Sequence, residues 1–378
     1  MYSFQKKKNM KFYTKTISIF TLIIVFAVSA CAPSIKLENG KSVKKPKNII
    51  LMIGDGMGLT QVTAGLYMNN GHLNLEQFPV IGLHKNYPKE KTLITDSAAG
   101  ATAFACGVKS YNAAIGVNSD SLPAKTILEI AESNGLATGL VATCAITHAT
   151  PASFIAHQKQ RDMFEPIAAD FLKTDFDLII GGGKKYFDNR TKDTRNLYKE
   201  LETKGYQVSD FFKEELKDLK TDKRNLAYFT ANDHPLQASQ GRDYLPFASQ
   251  FAANFLENRS KKGFFMMIEG SQIDWGGHAN NSDYIVTEMI DFDTAIGKIL
   301  EFAKKDGETL VIVTADHETG GYSINKGSVL GKLETKFTTD YHTGTMIPVY
   351  AYGPGAEAFA GIYENSDIFH KMKKLLGL

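Results

Sequence analysis

The chain has 378 residues, 43% of them hydrophobic and 22% charged, with a formal net charge of +2. This is an ordinary globular composition with enough apolar material for a sizeable core. Many lysines fall in the first 47 residues, so the remainder is close to neutral or slightly acidic, and no field strong enough to demand a nucleic-acid partner arises.

The chain opens with a targeting segment. Lys6, Lys7, Lys8, Lys11 and Lys15 precede an apolar run, ISIFTLIIVFAVSA (17–30), too short for a comfortable membrane span. It ends in Val28-Ser29-Ala30-Cys31, similar to a bacterial lipoprotein cleavage box with Cys31 as the lipidated first residue. Residues 1–30 are therefore expected to be a lipoprotein signal peptide, with Met10 as an alternative start. The other reading is an ordinary signal peptide with an incidental cysteine. Residues 31–47, polar and lysine-rich, form a solvated tether. A lipid anchor at Cys31 implies export to the periplasm or cell surface and attachment to a bacterial membrane. Only Cys106 and Cys144 follow, too few for a disulfide scaffold, and neither is expected to be a nucleophile.

From Asn48 strands and helices alternate. NIILMIG (48–54) reads as a buried strand and LPAKTILEIAESNG (122–135) as an amphipathic helix. Strands follow at 137–143, 176–183 and 263–268, then a long helix over 282–307. TLVIVTADH (309–317) and IPVYAYGPG (347–355) are further strands, and 365–377 is a closing helix. This order predicts an α/β three-layer sandwich: a central, mainly parallel sheet covered by helices on both faces. Residues 48–378 read as one domain. The segments 184–247 and 322–341 are expected to be insertions, loops or small subdomains beside the sheet.

The chemistry gathers where these elements end. Asp55 follows the first strand between two glycines, at the sheet edge where open α/β folds bind ligands, although Asp-Gly is also a common turn pair. Asp96 and Ser97 start a small-residue helix, where amide groups favour negative charge, although either could be a plain N-cap. His148 and Thr150 stand just before a helix expected to begin at Pro151, and Arg161 follows, free to fork onto a phosphate or to lie on the surface. EGSQIDWGGH carries Glu269, Asp274, Trp275 and His278, with Gly276 and Gly277 predicting a tight turn rather than a helix. Asp316-His317 ends another strand, and His342 precedes the next. His72, His84, His157, His234 and His370 lack such settings and read as structural or exposed. The assortment fits a phosphoryl-transfer centre with two zinc ions and one magnesium ion.

These motifs resemble the alkaline phosphatases, and most nearly the small type found in cold-adapted marine bacteria. IGDGMG, TDSAAGATAFACGVKSYNAAIGV, THATPASFIAH with Arg161, EGSQIDWGGHAN, TADHETGG and HTG carry the resemblance from about residue 48 to the end. It implies an alkaline-phosphatase-like fold, a homodimer, and hydrolysis of small-molecule phosphate monoesters through a phosphoserine on Ser97. Asp274, His278 and His342 would hold the first zinc. Asp55, Asp316 and His317 would hold the second, with Asp55, Thr150 and Glu269 around magnesium and Arg161 gripping phosphate. His148 stands where the best-known enterobacterial pattern has an aspartate, and Trp275 where it has a lysine. Both are expected at the phosphate pocket, and the change bears on the third metal site. A sulfatase would need an arginine soon after the nucleophile, but Ser97 is followed by Ala98, Ala99, Gly100 and Ala101. A phosphodiesterase relative would typically offer threonine and lack the magnesium ligands, and a non-enzymatic metal- or phosphate-binding lipoprotein would not need Ser97.

Overall fold

The computed structural model describes residues 45–221 and 225–378, so the signal peptide, Cys31 and most of the tether lie outside the described residues. In chain order the strands are β1 (Asn48–Gly54), β2 (Val80–Lys85), β3 (Ala137–Ala145), β4 (Leu178–Gly182), β5 (Gln207–Asp210), β6 (Leu226–Phe229) and β7 (Phe264–Gly270). They continue as β8 (Thr309–Thr314), β9 (Glu318–Thr319), β10 (Ser323–Ile324), β11 (Thr335–Lys336), β12 (His342–Thr343), β13 (Ile347–Tyr352) and β14 (Gly361–Glu364). The helices are α1 (Leu59–Met68), α2 (Ser97–Cys106), α3 (Ile127–Ser133), α4 (Ala149–Ala152), α5 (Phe164–Asp170) and α6 (Lys185–Asp188). After them come α7 (Leu197–Thr203), α8 (Tyr244–Glu257), α9 (Ile273–His278), α10 (Ser282–Asp306) and α11 (Ser366–Leu376).

Ten strands form one sheet in the order β14-β2-β13-β8-β1-β7-β3-β4-β6-β5. Every pairing is parallel except those of β13, which runs against β8 and β2. Alternation along β1 shows how the layers arise. Ile49, Leu51 and Ile53 join the core that packs on α2, α3 and α11, while Ile50 and Met52 join the core that packs on α1, α8 and α10. A strand buried on both faces must be apolar throughout, which is why NIILMIG was readable as one. The expected α/β three-layer architecture is the observed one.

Four local expectations are corrected. The helix expected over 122–135 is α3, starting only at Ile127, because Thr126 and Glu129 form a reciprocal capping box there. The helix expected from Pro151 begins at Ala149, with His148 at its N-cap and Thr150 inside the first turn. The segment 184–247 does not lie wholly beside the sheet: it supplies β5 and β6, two strands at its edge. Each has only four residues, too few for alternation to show. The segment 322–341 does contain only a small hairpin, β10 with β11.

The fourth correction concerns the two glycines after Trp275. They stand inside a short helix, α9, rather than in a tight turn. A Cβ on Gly276 would come within 2.7 Å of the Ile285 amide nitrogen in α10, and one on Gly277 within 2.7 Å of Thr319 in β9. The glycines serve close packing on two sides, so Asp274 and His278 do share a helix face, one turn apart.

Candidate active site

The register of the sheet sets the ends of four neighbouring strands level. Ile53 pairs with both Glu269 and Thr314, and Glu269 pairs with Ala142. Asp55 after β1, Glu269 in β7 and Asp316-His317 after β8 therefore converge at the carboxyl edge, joined by Thr150 beyond β3. Asp55, Glu269, Asp316 and His317 are all 0% exposed.

One cluster is made by Asp55, Asp316 and His317, whose donor atoms lie within 4.8 Å of one another. The His317 Nε2 stands 3.6 Å from Asp55 Oδ1 and 3.3 Å from Asp316 Oδ2. The Gly56 amide donates to Asp316 Oδ1 at 3.2 Å. Asp55 Oδ2 and Asp316 Oδ2 make no hydrogen bond. Burial, then the charges of Asp316, Asp274 and Glu269, push the Asp55 carboxyl well above its ordinary range. Burial, then Asp274, lifts Asp316 to about 6. Like charges packed in a dry space, each with one carboxylate oxygen left unbonded, are a costly arrangement that a cation relieves.

A second cluster joins Asp274, His317 and His342, again within 4.8 Å. His278 belongs to it as well, with its Nε2 at 3.1 Å from the His342 Nε2 and 3.4 Å from Asp274 Oδ2. The other nitrogen of each imidazole faces a carbonyl: His278 Nδ1 the Asp340 oxygen at 2.6 Å, and His342 Nδ1 the Thr95 oxygen at 2.8 Å. Protons on both Nδ1 atoms leave two neighbouring Nε2 lone pairs free, and a carbonyl behind each ring is how metal-ligating histidines are commonly held. Burial works against the Asp274 carboxylate, but when metal is absent and His342 is doubly protonated, its hydrogen bond and the charge of the surrounding imidazoles hold that carboxylate well below its ordinary range. The Thr319 hydroxyl also donates to it, a contact the sequence did not signal.

Glu269 and Thr150 make an all-oxygen pair that feels the charge of the inner cluster. Thr150 Oγ1 and Glu269 Oε1 are buried without a hydrogen bond of ordinary geometry. Burial lifts Glu269 to about 7 against the pull of Ser271, Cys144 and Thr150. The Cys144 thiol donates to Glu269 Oε2 at 3.3 Å, so this cysteine is a partner of the site rather than a nucleophile.

Ser97 is the first residue of α2 and 1% exposed. Its hydroxyl stands 3.4 Å from Asp55 Oδ1 and 3.3 Å from His317 Nε2. The preceding Asp96 caps the helix through the Ala99 amide and also accepts from Arg161 Nη1 at 3.0 Å. Arg161 is thus tied beside the serine instead of lying loose on the surface. Its Nη2 approaches the His148 Nε2 at 3.4 Å. The His148 ring meets Trp275 edge-on at 6.0 Å.

Every residue expected at the site is therefore at this sheet edge, Cys31 apart. Sequence reading missed His234, which meets Trp275 edge-on at 4.9 Å and His148 at 5.5 Å. It also missed Tyr341, stacked on His342 at 4.4 Å. Nothing in the irregular loops that carry them marks these residues; Tyr341 is next to His342, the one signal available.

The sequence profile of the family described as "Alkaline phosphatase" matches residues 46–338 and 331–378. The chain belongs to the alkaline phosphatase family. Alkaline phosphatase 3 of Bacillus subtilis is 34% identical over 457 residues, covering 97% of this chain and 98% of that protein. The alkaline phosphatase of Escherichia coli is 32% identical, covering 90% and 88%. The alkaline phosphatase structure from the Antarctic bacterium TAB5 is 46% identical with a TM-score of 0.82, covering 89% of this chain and 99% of that one. Variants of the TAB5 enzyme with glutamate or aspartate in place of a histidine have magnesium bound in the M3 site. As an alkaline phosphatase, this chain is a metal-dependent hydrolase of phosphate monoesters, and its metal-binding clusters surround the serine that the fold presents.

Proposed function

We propose that Ser97 attacks the phosphorus of a monoester in line, forming a phosphoserine that water then hydrolyses, with inversion at each step and net retention. The observation that carries this reading is the position of the Ser97 hydroxyl between Asp55 and His317, at the head of a helix whose cap holds Arg161. Asp55, Asp316 and His317 would hold one zinc ion and Asp274, His278 and His342 another, with Asp55, Thr150 and Glu269 around magnesium. The unbonded oxygens and converging imidazole nitrogens support nitrogen and oxygen ligation for zinc and oxygen-only ligation for magnesium. Bound ions supply positive charge that eases deprotonation of a hydroxyl or water and stabilises developing negative charge.

The chain's own residues do the rest. The first turn of α2 directs amide groups at the phosphoryl oxygens. Arg161, tied to Asp96, presents its guanidinium to the same oxygens and spreads their charge across a loose transition state. Trp275 and His148 form the rim on the Arg161 side. The occupant of the third metal site depends on His148, a nitrogen donor beside Thr150 where a carboxylate would favour magnesium. Family membership supports a homodimer, and the Val28-Ser29-Ala30-Cys31 box supports export with a lipid anchor. Small phosphate monoesters are the substrates.

The deciding experiment measures hydrolysis of an aryl phosphate monoester and the matching diester at alkaline pH, with metal analysis of the same sample. The monoester should be strongly preferred, with zinc and magnesium present. Ser97→Ala should lose at least about 10³-fold in kcat while keeping its metal. Unchanged turnover in that variant removes Ser97 as the nucleophile.

A further inference from the structure

We propose that His234 is a positioning residue for the phosphate site: it fixes the Trp275 and His148 rings, and through His148 it sets where Arg161 stands. The inference rests on Arg161 binding phosphate, as proposed above. Arg161 has two anchors, the Asp96 carboxylate at 3.0 Å and the His148 Nε2 at 3.4 Å. Because a guanidinium can only donate, the second anchor requires an Nε2 lone pair held toward Arg161. The other ring nitrogen of His148, Nδ1, is buried without a hydrogen bond. No hydrogen bond apart from the one to Arg161 therefore fixes the tilt of that ring, and packing must.

The packing is supplied by two perpendicular neighbours. Trp275 meets the His148 ring at 6.0 Å and 85°, and His234 meets it at 5.5 Å and 86°. His234 in turn meets Trp275 at 4.9 Å and 84°, closing a three-ring set. Such edge-to-face contacts are directional, so each ring restricts the tilt of the other two.

His234 alone of the three comes from outside the central strand ends, and its backbone is firmly held. Its Nδ1 accepts from the Ala145 amide at 3.1 Å, at the end of β3. The carbonyls of Ala231, Asn232 and Asp233 accept from Lys184, Lys185 and Gly183. Beyond it, the Gln272 amide donates to the carbonyls of Pro235 and Leu236 at 3.1 and 3.3 Å, and to Thr143 at 2.8 Å. Farther along, Arg242 forms a buried ion pair with Glu288 in α10, and the Ala238 amide donates to the same carboxylate at 2.7 Å. A loop with this many ties is a support for a side chain rather than a mobile cover. It makes the segment after β6 part of the phosphate site.

Trp275 is the sole tryptophan, so its emission reports on this ring set without interference. Three variants test the proposal. His234→Ala removes the ring. His234→Asn also removes it but offers an oxygen to the Ala145 amide, which keeps the loop tied if alanine does not fold. His234→Phe keeps a ring against Trp275. Both ring-less variants should move Trp275 emission to longer wavelength and raise KM for an aryl phosphate and Ki for inorganic phosphate together, by about three- to tenfold. Their kcat should stay within about twofold or rise, as expected when a held product leaves more easily. His234→Phe should return Ki to within about twofold of wild type. Unchanged emission, unchanged Ki, or a fall in kcat at constant KM in the ring-less variants overturns the proposal, as does a Phe variant no better than the Ala variant. A wild-type protein that hydrolyses no monoester would instead refute the proposed function, and the emission change would still report on the ring set.

Discussion

The two metal-ligating clusters share one histidine but are built by different parts of the molecule. The inner cluster, Asp55, Asp316 and His317, hangs directly from adjacent strands of the central sheet and is wholly buried. The outer cluster draws Asp274 and His278 from the short helix α9 and His342 from the two-residue strand β12, and the His278 side chain is 36% exposed. Core strands give the inner set its position at no further cost. The outer set relies on peripheral contacts: two carbonyls behind the imidazoles, two glycines packed against α10 and β9, and the pairing of β12 with β9.

The largest difference should appear on removing one ligand from each. Asp316→Ala should abolish hydrolysis, by about 10³-fold or more, without rescue by added zinc, since the buried neighbours cannot regroup. His278→Ala should lose about 10- to 100-fold and recover as zinc is raised, because the exposed position admits water or another ligand. Equal losses with equal rescue would erase the distinction. Chelation should show it next: with a mild chelator, metal should leave in two phases, and activity should fall with the first, outer phase. Release in a single step would argue that the clusters are one unit.

A smaller effect concerns stability without metal. Burial raises Glu269 from 4.5 to about 7, so the folded chain holds a proton that the unfolded chain has already released between those values. The metal-free fold therefore loses stability from this group as pH rises through that window. Buried His317, His148 and His84, held down by burial, bend the whole-protein curve the other way, so a difference is the proper measurement. Glu269→Gln should raise the metal-free melting temperature more at pH 8 than at pH 5; a larger gain at pH 5 would contradict it. The smallest expected change is at the rim. His148→Asp should strengthen magnesium dependence of hydrolysis several-fold, because a carboxylate offers magnesium the oxygen donor that an imidazole lacks. Identical magnesium titrations for wild type and variant would separate His148 from the third site.

The same division explains what could be read from sequence. Asp55, Glu269 and Asp316-His317 were legible because apolar runs such as NIILMIG point to strands, and whatever follows a buried strand lies at a sheet edge. The helix α9 was missed because glycine argues against a helix locally, whereas here close packing against Ile285 and Thr319 requires it. The edge strands β5 and β6 were missed because QVSD and LAYF are too short to show a period. His234 had no signal at all. Its role comes from contacts with Ala145 and Trp275, remote in sequence, that only the folded chain creates. Those motifs that carried the family resemblance were, by contrast, the ones local enough to be seen.

His317 also lies face to face with His342, ring centroids 3.5 Å apart and 15° from parallel. One ring of each cluster is thus the other's wall. A shift of either ring presses on the other, so a change made in one cluster should be felt in the next, and any effect on affinity must be reciprocal. The two sites, carried by different elements of the fold, are thus joined by the packing of one pair of rings.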